Sequence, residues 1–315
     1  MPLPTPDSAR PDVVIDCDPG IDDALALWLA AAVPQRLNLL GVTCVSGNRP
    51  VHTTAANARK LLDAAGRTDV PVYAGAALPL ALPAARCNLV HGEDGLGGVA
   101  FAPGRPLEDG HAVDYLVRLI SGSRPGRITL VAVGPLTNLA LAEQREPGLL
   151  RRLGRLLIMG GAVAHPGNVT PRAEFNFHAD PHAAAQVLAA TGHAEIYGLD
   201  VTSQASMPAE WIESLARMDG ACAKAASDML RSYSHIDALL HDACPVARLL
   251  EPGLFSGSHW ALDVVCEAGV DEGAVRGRLL DAAPAGPTPG VHHVMFQVDG
   301  PRLLALVADH IATLP

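Results

Sequence analysis

Four aspartates fall within eight positions of the stretch DVVIDCDPGIDDALALWLA, residues 12–30: Asp16, Asp18, Asp22 and Asp23. Any one of them alone reads as a helix cap or a solvated loop charge. Four together do not, because carboxylates gathered in one small volume repel one another unless they share protons or bind a cation. An all-oxygen donor set suits a hard divalent ion, Mg²⁺, Mn²⁺ or Ca²⁺, rather than Zn²⁺, so a hard-metal site is the chemistry this stretch predicts.

The flanking text says how the four are positioned. Val13, Val14 and Ile15 form a β-branched run into Asp16, Pro19-Gly20 supply a turn, and Leu25, Leu27 and Leu29 resume in an Ala-rich segment. That order predicts strand, tight loop and amphipathic helix. Asp16 and Asp18 then lie at the strand's end, and Asp22 and Asp23 in the first helical turn, where free N–H groups and the positive dipole end favour carboxylates.

The same alternation continues downstream. Residues 37–45, 70–74, 128–133, 156–159 and 194–199 read as strands, and 53–66 as a helix stopped by Gly66. Further helices are expected from an Asp109 cap through Ile120, after the GPLTN run at 134–138, and from Asp180-Pro181. Residues 75–106, including HGEDGLGG at 91–98, read as loop. Apolar strands such as ITLVAV belong in a parallel sheet covered on both faces, so the prediction is a single-domain α/β fold with a mostly parallel central sheet flanked by helices, Rossmann-like in plan. Ligands in such folds bind beyond the carboxyl ends of the strands, where Asp16, Asp18, Asn48, Gly134 and the 160–180 loop all fall. Met207 to Leu240 reads as helical, 264–269, 275–282 and 291–300 as short strands, and 301–313 as a last helix. Residues 1–11 are expected to form a flexible tail and 12–315 one catalytic domain.

Composition narrows the function classes. The chain has 315 residues, about half of them apolar, and a formal charge of −10. Its Lys and Arg are scattered, never more than two together, so no basic stripe exists to neutralise the phosphates of a nucleic acid. The six cysteines form no CxxC pair, which fits a reduced, cytoplasmic setting. MPLPTPDSAR lacks the apolar core of a signal peptide, and no stretch of 18 uncharged apolar residues suggests a membrane span.

DCDPGIDDALAL, residues 16–27, resembles the N-terminal signature of the inosine-uridine-preferring nucleoside hydrolases, which cleave N-ribosidic bonds with a bound Ca²⁺. Further segments resemble that family in order: HGEDGLGG, VGPLTN at 133–138, MGGAVAHPGNVTPRAEFNFHADPHAA at 159–184, and His241-Asp242. The resemblance implies Ca²⁺ held by Asp18, Asp23, Asp242 and the Val133 carbonyl. It implies Asp18 as general base and His241 as the acid for the departing base. It places Asp22, Asn48, His91, Met159, Asn168, Glu174, Phe175, Asn176 and Tyr233 around the substrate, with Asp22 and Asn176 on the ribose diol and Asn168 with Glu174 on the 5′ hydroxyl. Asp16 would orient its neighbours from outside the ligand set. The implied partner is a small ribonucleoside, purine or pyrimidine, and the implied assembly a homodimer or homotetramer.

Two rival readings fit parts of the pattern. An aspartate-nucleophile phosphatase using Mg²⁺ also opens with DxD after its first strand, but Asp22 and Asp23 would repel a phosphate and no Lys or Arg stands in the stretch to compensate. A protein that captures ribonucleosides or Ca²⁺ without turnover would share the binding residues.

Overall fold

The computed structural model describes residues 10–315. Its strands are β1 (Asp12–Cys17), β2 (Asn38–Cys44), β3 (Val72–Ala74), β4 (Ile128–Ala132), β5 (Arg155–Met159), β6 (Ala194–Tyr197), β7 (Phe255–Val264), β8 (Val275–Leu279) and β9 (Val291–Val298). They form one sheet in the order β3-β2-β1-β4-β5-β6-β9-β7-β8. From β3 across to β9 neighbouring strands are parallel, and β7 and β8 complete the edge antiparallel. The α/β fold with a mostly parallel sheet is therefore the one expected.

Side-chain alternation along the strands feeds two cores. Val13 and Ile15 point into one, which they share with the helices Ile21–Ala31, Val51–Ala64, Ala221–Tyr233 and Gly300–Ile311. Val14, Leu130 and Ala132 point into the other, with the helices Ala112–Gly122, Thr137–Arg145 and Pro181–Ala190. Each parallel strand is covered on both faces, which is why these strands read as unbroken apolar runs.

The chain leaves β1 for β2 on one side and later returns to β4 on the other, so the strand order switches direction at β1. The crevice that opens there, past the carboxyl ends of β1 and β4, is where such sheets bind ligands. Asp16 lies in register with Thr43 of β2 and Ala132 of β4, and Asp18 follows just beyond the strand.

Several local expectations change. The helix Ile21–Ala31 is not amphipathic: every residue in it is buried, because the sheet, neighbouring helices and the site itself surround it. Asp109 caps nothing; the helix Ala112–Gly122 starts from His111, whose Nδ1 accepts the N–H of Val113. Met207 to Leu240 holds two helices, Ala209–Ala216 and Ala221–Tyr233, parted at Gly220, and the chain leaves helical geometry after Tyr233. The strand expected at 264–269 lies earlier, in β7, and VVCEAG past Val264 is turn. Of the expected tail, residues 1–9 lie outside the described residues, while Arg10 and Pro11 are tied down through the carbonyl of Pro34 and the N–H of Asn38. Among the described residues no helix is long and apolar enough to cross a membrane.

Candidate active site

The loop from Asp18 to Gly20 is held by its own aspartates. Asp23 accepts the N–H of Asp18 through Oδ1 at 3.2 Å and that of Gly20 through Oδ2 at 2.9 Å, which closes the loop onto the helix Ile21–Ala31. Asn48, just past β2, donates its backbone N–H to Asp18 Oδ2 at 2.6 Å and its amide to Asp23 Oδ2 at 3.3 Å. Asp16 points beneath, where Thr43 and Asn138 donate to its Oδ2 at 2.6 and 2.8 Å.

Asp242 arrives from the far end of the chain, at the start of the helix Ala243–Leu250. One oxygen from each of Asp22, Asp23 and Asp242 lies within 4.8 Å of the others, a spacing at which three carboxylates can share a cation. Of the four expected ligands, Asp18, Asp23, Asp242 and the Val133 carbonyl, two are in this triad; Asp22, expected on the sugar, lies beside them, and Asp18 accepts the N–H of Asn48.

All of these groups are nearly sealed from solvent, and the electrostatics follow. Burial pushes Asp16 and Asp23 up to about 7, the charge of Asp22 adding to the effect at Asp23. Burial and the charge of Asp23 raise Asp18 well above the usual carboxylate range, and burial with Asp22 and Asp23 does the same to Asp242. One oxygen each of Asp16 and Asp18 is buried with no hydrogen-bond partner. Protons or a cation must balance such a cluster, and unpartnered carboxylate oxygens fit a hard divalent ion.

Two glycines make room for Asp18. A Cβ at Gly47 would stand 2.0 Å from its Oδ2, and one at Gly134 would stand 2.6 Å from its Oδ1. Gly20 does the same for His91, whose ring a Cβ there would meet at 2.7 Å. His91 accepts the N–H of Ile21 through Nδ1 at 3.1 Å, so its proton sits on Nε2, 3.7 Å from Asp22. Burial holds its pKa down against the pull of Asp22, and the neutral ring stacks on Tyr233 with centroids 5.0 Å apart.

Above this floor opens a cavity of about 270 Å³. Its lining includes Asp22, Asn48, Val133, Met159, Asn168, Glu174, Phe175 and Asn176. Glu174 caps the short helix Phe175–Ala179, accepting the N–H groups of Asn176, Phe177 and Gly161, and so pins the long loop after β5. Asn168 accepts the N–H of Phe175, and Asn176 donates to the Val133 carbonyl at 2.9 Å, which leaves that carbonyl one lone pair. Val90, His91, Tyr233, Ile236, Asp237 and His241 line it too, His91 against Tyr233 and His241 against Asp237. His241 is buried, which opposes its charged form, but Asp237 at 3.2 Å, with Asp22 and Glu174 behind it, outweighs burial and raises its pKa.

Every expected site residue is at this cavity or directly under it; Asp16, Asp18 and Asp23 lie below the lining. Asn88, Val90, Val169 and Ile236 also line it and carried no chemical signal in the sequence. Asn138 and Thr43, which hold Asp16, were missed as well, although Asn138 ends the GPLTN run.

Two outcomes follow. Gly47→Ala should displace Asp18 and weaken binding of a hard divalent cation by about 10–100-fold, with far-UV circular dichroism unchanged; undiminished affinity by calorimetry would detach Asp18 from the cation site. Because the folded chain holds protons on Asp16 and Asp23 up to about 7 that the unfolded chain releases near 3.8, the cation-free cluster costs stability increasingly as pH rises through that window. The gain in melting temperature on adding Ca²⁺ should therefore be larger at pH 8 than at pH 5, and an equal gain would contradict the assignment.

Comparison with known proteins agrees with the geometry. The family model described as inosine-uridine preferring nucleoside hydrolase matches residues 13–305. The inosine-uridine preferring nucleoside hydrolase of Leishmania major is 35% identical, covering 94% of this chain and 96% of that protein. The pyrimidine-specific ribonucleoside hydrolase RihA of Photobacterium profundum is also 35% identical, covering 96% and 99%. The solved structure of a plant nucleoside hydrolase, PpNRh1, superposes with a TM-score of 0.88 at 31% identity, covering 96% of this chain and 99% of its own. With the carboxylate cluster at the switch point and matches along nearly the whole chain, the protein belongs to the inosine-uridine preferring nucleoside hydrolase family.

Proposed function

We propose that this chain hydrolyses the N-glycosidic bond of ribonucleosides, giving ribose and free base, with Ca²⁺ as its cofactor. The observation that carries this reading is a single cavity whose lining brings carboxylates and side-chain amides together with an imidazole, a phenol and apolar side chains, over a cluster of buried aspartates. No Lys or Arg is among its lining residues, which disfavours a phosphate ester as substrate.

Asp18, Asp23, Asp242 and the Val133 carbonyl, with Asp22 beside them, would hold the ion. Bound there, Ca²⁺ would supply the positive charge that orients the ribose diol and makes the attacking water easier to deprotonate. Asp22 and Asn176 take the diol, Asn168 and Glu174 the 5′ hydroxyl, and Met159 and Phe175 flank the sugar. As the bond from C1′ to the base nitrogen breaks, positive charge grows on the sugar and negative charge on the base. The buried carboxylates stabilise the first. Asp18 accepts the proton of the water that adds to C1′, and His241 gives a proton to the base, so water is consumed and both products leave neutral. His91 is poorly suited to the acid's part, since its Nδ1 accepts a backbone N–H and burial keeps it neutral; it braces Asp22 and, with Tyr233, walls the base end.

A homodimer or homotetramer in the cytoplasm is the setting that goes with this reading, and the six unpaired cysteines suit a reducing compartment. Sedimentation at micromolar concentration tests the assembly, and a monomer would remove it.

His241→Ala should slow ribose release from inosine or uridine by about 10²–10⁴-fold, the usual worth of general acid catalysis. Hydrolysis of 4-nitrophenyl riboside, whose phenolate departs without a proton, should fall far less, and Ca²⁺ affinity should stay as it is. Equal losses on both substrates would take the acid role from His241, and full activity after chelation would take Ca²⁺ from the reaction.

A further inference from the structure

His241 is gripped at both ring nitrogens by residues from separate parts of the chain. Thr202 Oγ1 lies 2.8 Å from Nδ1, and Asp237 Oδ2 lies 3.2 Å from Nε2. Thr202 ends the short helix Leu199–Thr202 that follows β6, it is fully buried, and this is the one hydrogen bond its hydroxyl makes among the described residues. Asp237 sits on the non-helical run after Tyr233, and its second oxygen accepts the N–H of Leu239 at 3.1 Å, so the carboxylate is itself anchored.

The two holders are fixed relative to each other. Met207 donates its N–H to the carbonyl of Ala238 at 2.7 Å, Leu240 donates to Ala205 at 2.9 Å, and Ser206 and Leu239 form an antiparallel bridge between them. This miniature ladder ties the segment after Thr202 to the segment after Asp237. The imidazole therefore cannot flip or swing without losing both partners. Asp237 and His241 both line the cavity, so the contact at Nε2 lies at its wall.

We propose that Thr202 and Asp237 are positioning residues that hold the His241 ring in the orientation needed to reach the leaving base. This rests on the reading of His241 given above. A ring released from either partner spends part of its time misdirected, and a misplacement of about 1 Å can cost about 10²-fold in rate.

The experiment compares Thr202→Val, which keeps the shape and removes the hydroxyl, with Thr202→Ser, and Asp237→Ala with Asp237→Asn. Each is measured on inosine or uridine and on 4-nitrophenyl riboside, in the native and the His241→Ala backgrounds. Thr202→Val and Asp237→Ala should each lower kcat on nucleosides by about 10–100-fold, with KM within about threefold. The nitrophenyl substrate should be nearly unaffected. Thr202→Ser, which keeps the hydroxyl, should recover most of the rate, and Asp237→Asn, which keeps a hydrogen-bonding group but loses the charge, should recover part of it. In the His241→Ala background neither loss should recur, because residues acting through one group are not additive. Losses that persist there, or that fall equally on both substrates in the native background, would show that the pair merely shapes the pocket. A second readout separates this idea from the acid role: the ring N–H protons of His241 in proton–nitrogen NMR should lose protection from exchange in both variants. If His241→Ala treats both substrates alike, the acid role falls, and unchanged ring signals would overturn the positioning role by themselves.

Discussion

Mutual repulsion among buried carboxylates is the constraint around which this molecule is arranged. Two unit charges 4 Å apart cost about 1 kcal/mol in water and about 4 kcal/mol at an effective dielectric near 20. Asp16, Asp18, Asp23 and Asp242 are all at most 3% exposed, and Asp22 is beside them. The fold answers with donors: backbone N–H groups of Asp18, Gly20 and Asn48, the Asn138 amide and the Thr43 hydroxyl. It also supplies glycines at 47 and 134, where any side chain would collide with Asp18. These donors leave carboxylate oxygens over, and the surplus suits a hard cation.

Two groups of lining residues are held by different means. Glu174 and Asn168 are fixed by backbone groups, the first by three N–H donors and the second by the N–H of Phe175. Around His91 and His241, aromatic stacking and paired imidazole contacts do the holding. His91 and His241 show how one residue type takes opposite electrostatic states within one pocket. The first has a backbone donor on Nδ1 and is kept neutral by burial; the second has a carboxylate on Nε2 and is biased toward its cation.

What could be read from the sequence was local. Asp16 to Asp23 announce themselves because strand, turn and helix start follow within a few residues, and Asp180-Pro181 announces a helix that does begin there, with Asp180 accepting the N–H of Ala183. Asp242, Asn168 and Glu174 became visible through family resemblance, since nothing in their own surroundings joins them to Asp18. Long-range choices stayed hidden. The insertion of β9 between β6 and β7 depends on which edge is free once six strands have paired. The helix Ile21–Ala31 looked one-sided because its aspartates are polar, yet those aspartates face a buried site and no face of the helix meets water. Thr202 carries no pattern at all; its meaning comes from a contact 39 positions away.

The four-residue helix Leu199–Thr202 reaches two parts of the cavity wall. Asp200 accepts the N–H groups of Val163 and Ala164, anchoring the loop that carries Asn168 and Glu174, while Thr202, two positions on, touches His241. Both halves of the pocket are thus referenced to less than one and a half turns of a single backbone. If a sugar is held by Asn168 and Glu174 and a base met by His241, as proposed, the spacing between them is set by this one short piece of helix, a gauge length against which a molecule with its two parts spaced differently would fit on one side only.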